Sequence, residues 1–429
     1  MEDQTEDLLM TEAKPGFLSR VKVNFFGAYS FLLAFSVVVL IITMGDAILS
    51  YVVPDFMQQH LDNSATLMGL VLSTSSMVGF AADFLFGKLF ANKKFPFFIK
   101  WTFIFALAFP LTLILFPANP GYFIVAMAFW GIYYEMIGFA NTQFIISNTP
   151  HNTHDFAWGL ITIFRSISYT FGPLIAEQLL TRGENIPFYA AIGFFILGLV
   201  GFIIVDRSRK DRVHKLDSTD LQPTYKVEFK VWVILAKRLW ALLLFIFVII
   251  LVDSAFWSVG AVLSQQSTDG SGGLLLFLYG LPQLFVGIIA GRVARPFGKK
   301  RAAFITMAIS SGLLIIGGLS SDYNLLLVFV FLSSIFSSLT IPEIQGTFSD
   351  YDGRLNKTRN SLIGLESSFG NLAYIIGPII AGVLSDAVGP QKTFGIMGFI
   401  ALVVSIIAMI VVPRKLKMPR QDLAKWGMD

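Results

Sequence analysis

The 429-residue chain contains no cysteine, which removes disulfides, thiolate metal sites and cysteine nucleophiles and leaves the redox compartment open. Charge is scarce as well: Asp, Glu, Lys and Arg make up 14% of residues against 55% apolar, and the mean hydropathy is +0.69. A water-soluble fold of this size could not hide so much apolar surface. The four histidines, His60, His151, His154 and His214, all fall between apolar runs, so no buried histidine proton relay is expected. No Gly-x-x-x-x-Gly-Lys-Ser/Thr phosphate cradle occurs, which argues against a nucleotide-driven pump. The chain opens on M-E-D-Q-T-E-D, not on the charged stub, short apolar core and small-residue cleavage site of a secretory leader. The first apolar run is therefore expected to direct membrane insertion itself. The net charge of +4 is scattered between apolar runs without interleaved aromatics, so no nucleic-acid partner is expected.

What is present is a long series of apolar runs. A hydrocarbon core of roughly 30 Å needs about 20 helical residues. Runs of that order fall near 27–53, 65–87, 97–116, 121–147, 157–180 and 187–205, then near 239–263, 272–293, 302–319, 324–347, 361–386 and 391–413. These predict an all-α membrane protein with twelve transmembrane helices in two pseudo-symmetric six-helix bundles. Lys and Arg collect on the cytoplasmic side of membrane proteins. With both termini inside, all but three of the 32 Lys and Arg fall in inner segments; Arg182 and Lys392 lie outside and Arg165 lies within a span. The reading is thus a multi-pass protein of the cell membrane with cytoplasmic termini. It divides into an N-terminal half (1–205), a cytoplasmic linker (206–238) and a C-terminal half (239–429). The linker begins D-R-S-R-K-D-R; residues 224–238 alternate apolar and basic, as expected either of a segment along the membrane surface or of a disordered basic tether.

The two halves repeat each other. I-I-T-M-G-D-A-I-L-S at 41–50 aligns without gaps on V-I-I-L-V-D-S-A-F-W at 248–257, setting Asp46 opposite Asp253. G-P-L-I-A at 172–176 aligns on G-P-I-I-A at 377–381, and more loosely Asn141 and Gln143 fall opposite Glu343 and Gln345. Three matches in the same order imply duplicated halves, with a binding site between them near the bilayer midplane.

Twelve spans as six plus six around a basic central loop resemble the major facilitator superfamily over essentially the whole chain. The family's loop signature after the second span, Gly-x-x-x-Asp-Arg-x-Gly-basic-basic, has counterparts in G-K-L-F-A-N-K-K at 87–94 and G-R-V-A-R-P-F-G-K-K-R at 291–301. Gly87, Lys93 and Lys94, and Gly291, Gly298, Lys299 and Lys300, are kept; Ala91 and Arg295 stand where the family has Asp. The stretch D-A-I-L-S-Y-V-V-P from Asp46 resembles the Asp-to-Pro first-helix motif of drug/proton antiporters, one residue shorter. The fifth-span Gly172-Pro173 resembles the antiporter Gly-Pro motif, although Gly377-Pro378 repeats it and helix packing by small residues accounts for both.

An ionisable side chain deep in a span costs several kcal/mol, so those present are read as buried partners or as a site. Asp46, Glu135 and Asp253 are the candidate proton-coupling carboxylates, with helix capping as the plain structural alternative for Asp46. Counting along the helices from their shared inner loop puts Arg165 about 12 Å and Glu135 about 18 Å deep. This predicts an ion pair, either purely structural or one that tunes the acid. Tyr133, Tyr134 and Trp257 near these charges, with Asn141, Gln143 and Asn371, are candidates for substrate contacts. Glu343 and Glu366, nearer the inner ends of their spans, and Gly172, Pro173, Gly377 and Pro378 are assigned to helix-end or gating contacts.

Three acids and one base at midplane favour protons and cationic or neutral amphiphiles over anions, which need basic clamps. The expected function is secondary active transport by alternating access: proton-coupled export of amphiphilic cationic or neutral compounds. Alternatives are proton-linked symport of a sugar or other polar neutral solute, and a transporter-like receptor or lipid mover without proton coupling. No cofactor, metal or enzymatic activity is expected; the partners are a small-molecule substrate, protons and the lipid bilayer, and the chain is read as a monomer.

Overall fold

The computed structural model describes residues 17–90, 93, 95–149, 153–207, 225–266, 272–320, 322–352, 355 and 359–414. The first six helices are α1 (Phe17–Gln59), α2 (Ala65–Leu89), α3 (Phe95–Leu115), α4 (Pro120–Asn148), α5 (His154–Leu180) and α6 (Ile186–Arg207). Each is an apolar run bounded by local stop signals. Asp62 and Asn63 turn the chain between α1 and α2 with positive φ, which short polar side chains tolerate. Asn119 caps α4 by accepting from the Tyr122 N–H, with Pro120 at the first helical position, where the missing N–H costs nothing.

The second half is less regular. The seventh span runs through α7 (Tyr225–Ala255), a π-helical turn Phe256–Gly260 and α8 (Ala261–Gln265). The eighth is broken into α9 (Leu274–Gly280), a 3-10 turn Leu281–Leu284 and α10 (Gly287–Ala294). Then follow α11 (Lys299–Leu319), α12 (Tyr323–Asp352), α13 (Arg359–Val388) and α14 (Pro390–Val411). Eleven helices among the described residues are long and apolar enough to cross a membrane, and Leu274–Leu284 supplies a shorter apolar one. The twelve-span fold is present, but the eighth span is not the continuous helix expected over 272–293. Pro282 has no N–H to donate into the helix, and non-helical backbone at membrane depth is tolerated where it borders protein or a cavity.

Residues 208–224 of the expected linker, and Ala91 and Lys94 of the first loop signature, lie outside the described residues. Residues 225–238 differ from the expected surface segment: they are the first turns of α7 and run without a break into the seventh span, because no Gly or Pro interrupts them.

The halves share a packing plan. α1 packs on α5 and α6, and α7 packs correspondingly on α13 and α14. Between the halves α2 meets α13 and α5 meets α9. At the end of the molecule opposite Phe17 and Arg414 these seams are closed by hydrogen bonds. Asp386 of α13 accepts from Ala65 N (2.9 Å), Thr66 N (2.8 Å) and the Ser64 hydroxyl (3.0 Å), and Gln265 donates to the Tyr51 carbonyl at 2.6 Å. Ser73 of α2 donates to the Ile375 carbonyl at 2.6 Å. The backbone makes the same close approach twice: a Cβ on Gly273 would stand 2.5 Å from the Pro173 carbonyl oxygen, and one on Gly69 would strike that of Pro378.

Candidate functional site

Below these seams lies a cavity of about 450 Å³ between the halves, walled by α2, α4, α5, the seventh and eighth spans and α13. Asp46 is fully buried in its wall. The Trp130 indole N–H donates to it at 2.7 Å, the Tyr134 hydroxyl at 3.1 Å, and the Tyr169 hydroxyl also donates to it. Three donors on one carboxylate meet the requirement that a buried charge be hydrogen-bonded. They also screen it, for Trp130, Tyr134 and Tyr169 line the cavity and Asp46 does not.

Asp253 stands in a second nest of the same kind. Tyr279 donates to Oδ1 at 2.6 Å, Tyr374 donates to Oδ2, and the Trp257 side chain is a further contact. Here the carboxylate itself lines the cavity. The repeat places the tyrosines: Tyr169 stands three residues before Gly172-Pro173, and Tyr374 three before Gly377-Pro378. The glycines bring the helices together. A Cβ on Gly172 would stand 2.5 Å from that of Ala47, next to Asp46, and one on Gly377 would strike the Ser254 hydroxyl, next to Asp253. Each Gly thus lets an aspartate-bearing helix lie close to one carrying a tyrosine one turn away. Sequence reasoning missed Tyr169 and Tyr374, although their shared offset from Gly-Pro was visible in the repeat.

A sequence model of the Major Facilitator Superfamily matches residues 35–268 and again 242–427. The chain belongs to the major facilitator superfamily. Among curated superfamily members it is similar to the Quinolone resistance protein NorA of Staphylococcus aureus, 24% identical over 145 residues, which is 33% of this chain and 37% of NorA. It is also similar to the Multidrug efflux pump Tap of Mycobacterium bovis, 25% identical over 32% of this chain and 34% of Tap. These matches span little more than a third of either relative. Among solved structures, the nucleoside transporter NupG superposes with a TM-score of 0.69 at 13% identity, over 90% of this chain and all of NupG. A bacterial homologue of the human lysosomal transporter Spinster gives 0.66 at 11% identity, over 90% and 95%. At such identities the likeness is one of fold.

Within this superfamily fold the remaining candidates separate. Glu135, Arg165, Trp257 and Asn371 line the cavity with Asp253 and Tyr134. Tyr133 packs behind Tyr134, 1% exposed. Asn141 is buried and, like Gln143, is not part of the lining. It lies nearer the inner end of α4, so neither is placed to touch a solute in this cavity. Glu343 is buried with Lys299 as its charged neighbour, and it and the half-buried Glu366 lie off the cavity. Gly172 and Gly377 are packing positions, and Pro173 and Pro378 present their carbonyls at the two seams.

The expected Glu135–Arg165 ion pair is not formed. Lys299 and Asp350 form a salt bridge at 2.9 Å; Glu135 and Arg165 form none with each other. Arg165 has Asp46, Tyr133, Tyr134 and Tyr169 as electrostatic neighbours, whereas Glu135 faces Asp83. Neighbouring depths do not fix azimuth: Glu135 leans onto α2, its Oε1 3.2 Å from where a Gly79 Cβ would sit, and Arg165 projects from α5.

Proposed function

We propose that this protein is a secondary active transporter working by alternating access, and that it couples proton movement to the export of amphiphilic cationic or neutral compounds. The observation that carries the proposal is the pair of repeat-related aspartate nests in the wall of an inter-half cavity whose seams are closed at one end. Family membership and the partial similarity to two drug-resistance proteins support it. Asp253, lining the cavity, exchanges a proton with it directly. Asp46, sealed by Trp130, Tyr134 and Tyr169, exchanges only when those side chains move. Proton transfer at Asp46 is thereby tied to the rearrangement of the halves. On this reading the protein is a monomer of the cell membrane, its termini cytoplasmic, and the closed seams face outward.

The test is flux of a solute panel in proteoliposomes under an imposed pH gradient. Accumulation of amphiphilic amines driven by the gradient, and abolished by collapsing it, is the expected result; solute movement indifferent to the gradient would refute proton coupling. A cysteine introduced at Ser267 reacts with an impermeant reagent from outside, and one at Ser218 only from inside; the reverse accessibility would overturn the orientation.

A further inference from the structure

Arg165 lines the cavity yet has no hydrogen-bond or ion-pair partner among the described residues. The acid nearest to it in the electrostatics, Asp46, already receives three donors from Trp130, Tyr134 and Tyr169. A guanidinium left without an acceptor in a protein interior is costly, and its planar fork matches a carboxylate with two parallel bonds. Glu135 is the converse: a carboxylate that lines the same cavity from the α2 side without a donor among the described residues. Aromatic rings of Trp130, Tyr134 and Tyr169 from one half and Trp257 from the other line the same cavity. Trp130 and Tyr134 stack at 5.6 Å, and Tyr169 meets Trp257 edge-on at 5.3 Å.

We infer that the cavity takes flat amphiphilic zwitterions, with a carboxylate of the solute held by Arg165 and an ammonium group held by Glu135. This deepens the transporter reading, on which it rests: within the class of net-neutral amphiphiles it selects those carrying both charges. It departs from the preference for cations expected of three acids and one base, because a guanidinium without a protein partner repels amines and attracts anions.

The experiment is equilibrium dialysis of an aminomethyl-biphenyl carboxylate and of its methyl ester against the full-length protein in nanodiscs. The two probes share ring system and amine and differ in the anionic group alone. The wild type is expected to bind the acid at least about tenfold more tightly than the ester, the scale of one charge-assisted contact. Arg165→Gln erases the difference. Arg165→Lys keeps the charge but not the fork and retains part of it, and Glu135→Gln weakens both probes alike. Equal binding of acid and ester by the wild type, including no binding of either, would overturn the assignment, as would a preference that survives Arg165→Gln. Preferential binding of the acid without gradient-driven flux would count against proton coupling and leave the zwitterion site standing.

Discussion

The two halves solve one problem, a carboxylate inside the membrane, in the same way and with different access. In the N-terminal half Asp46 is fully buried, with three aromatic donors between it and the cavity and Arg165 as a charged neighbour. In the C-terminal half Asp253 faces the cavity, its electrostatic neighbours are neutral, and the helix that carries it loosens into a π turn directly after it. Such insertions are frequent at functional sites. The repeat fixed the position of the acid and of one tyrosine in each half. The other donors come from different places, Trp130 and Tyr134 on α4 in one half and Trp257 and Tyr279 on the seventh and eighth spans in the other. Duplication supplied the charge, and divergence supplied the difference in who can reach it.

The largest effect that bears on this comparison is expected at the sealed acid. Asp46→Asn keeps shape and hydrogen bonding while removing titration, so solute still binds but a pH gradient no longer drives transport. Asp253→Asn is expected to leave coupled flux within about tenfold of wild type, a loss of roughly 1.4 kcal/mol. Parallel measurements of gradient-driven flux and equilibrium binding decide between them. Full coupled transport by Asp46→Asn would reverse the roles assigned here, and equal losses would make the two nests equivalent.

Next come the glycines that bring each acid against its tyrosine. Gly172→Ala sets a methyl against the Cβ of Ala47, which cannot rotate away, whereas the obstacle at Gly377 is a Ser254 hydroxyl. Overpacking costs about 1–3 kcal/mol, so Gly172→Ala should lower the thermal midpoint more than Gly377→Ala. Combining Gly377→Ala with Ser254→Ala should restore part of the second loss, since the Ser254 Cβ would still stand 2.9 Å from the new methyl. Failure of that rescue would mean that the helix backbones, and not the hydroxyl, set the spacing.

Of similar size are the single donors. Tyr169→Phe and Tyr374→Phe each remove one hydrogen bond to a carboxylate, worth about 1.5–3 kcal/mol when the acceptor is charged. Each loss should shrink when the matching aspartate is already Asn. A double-mutant cycle with no coupling in either half would dissolve the nest as a unit.

The smallest expected effect is an absence of coupling. Because Glu135 and Arg165 are not paired, the stability losses of Arg165→Ala and Glu135→Gln should add within about 0.5 kcal/mol. A double variant more stable than Arg165→Ala alone would restore the pair.

The span map and the repeat were legible in the sequence because lipid demands long apolar runs and basic flanks; most helices follow those runs closely, whereas α1 and α7 begin well before theirs and the eighth span is broken. Asp46 and Asp253 were legible for the same reason: a charge in such a run stands out. Their partners were not, since tyrosine and tryptophan in an apolar helix are ordinary, and only the common offset of Tyr169 and Tyr374 from Gly-Pro marks them. Glu135 and Arg165 show the other limit. Depth follows from counting residues, but which way a side chain points around the bundle depends on packing between helices distant in sequence.

The break in the eighth span has a consequence for how the protein is made. Neither α9, seven residues, nor α10, eight residues, is long enough to enter a bilayer alone. The backbone groups freed at Pro282 need protein neighbours that lipid cannot replace. The Leu278 carbonyl, left free by Pro282, accepts from the Ser334 hydroxyl of α12 at 3.2 Å, and the same broken span also packs on the other half, Gly280 against Thr170 and Gly273 against Pro173. The eighth span is therefore expected to settle last, completed by α12, made after it, and by α5, made long before it, so that biogenesis of the second half also waits on the first.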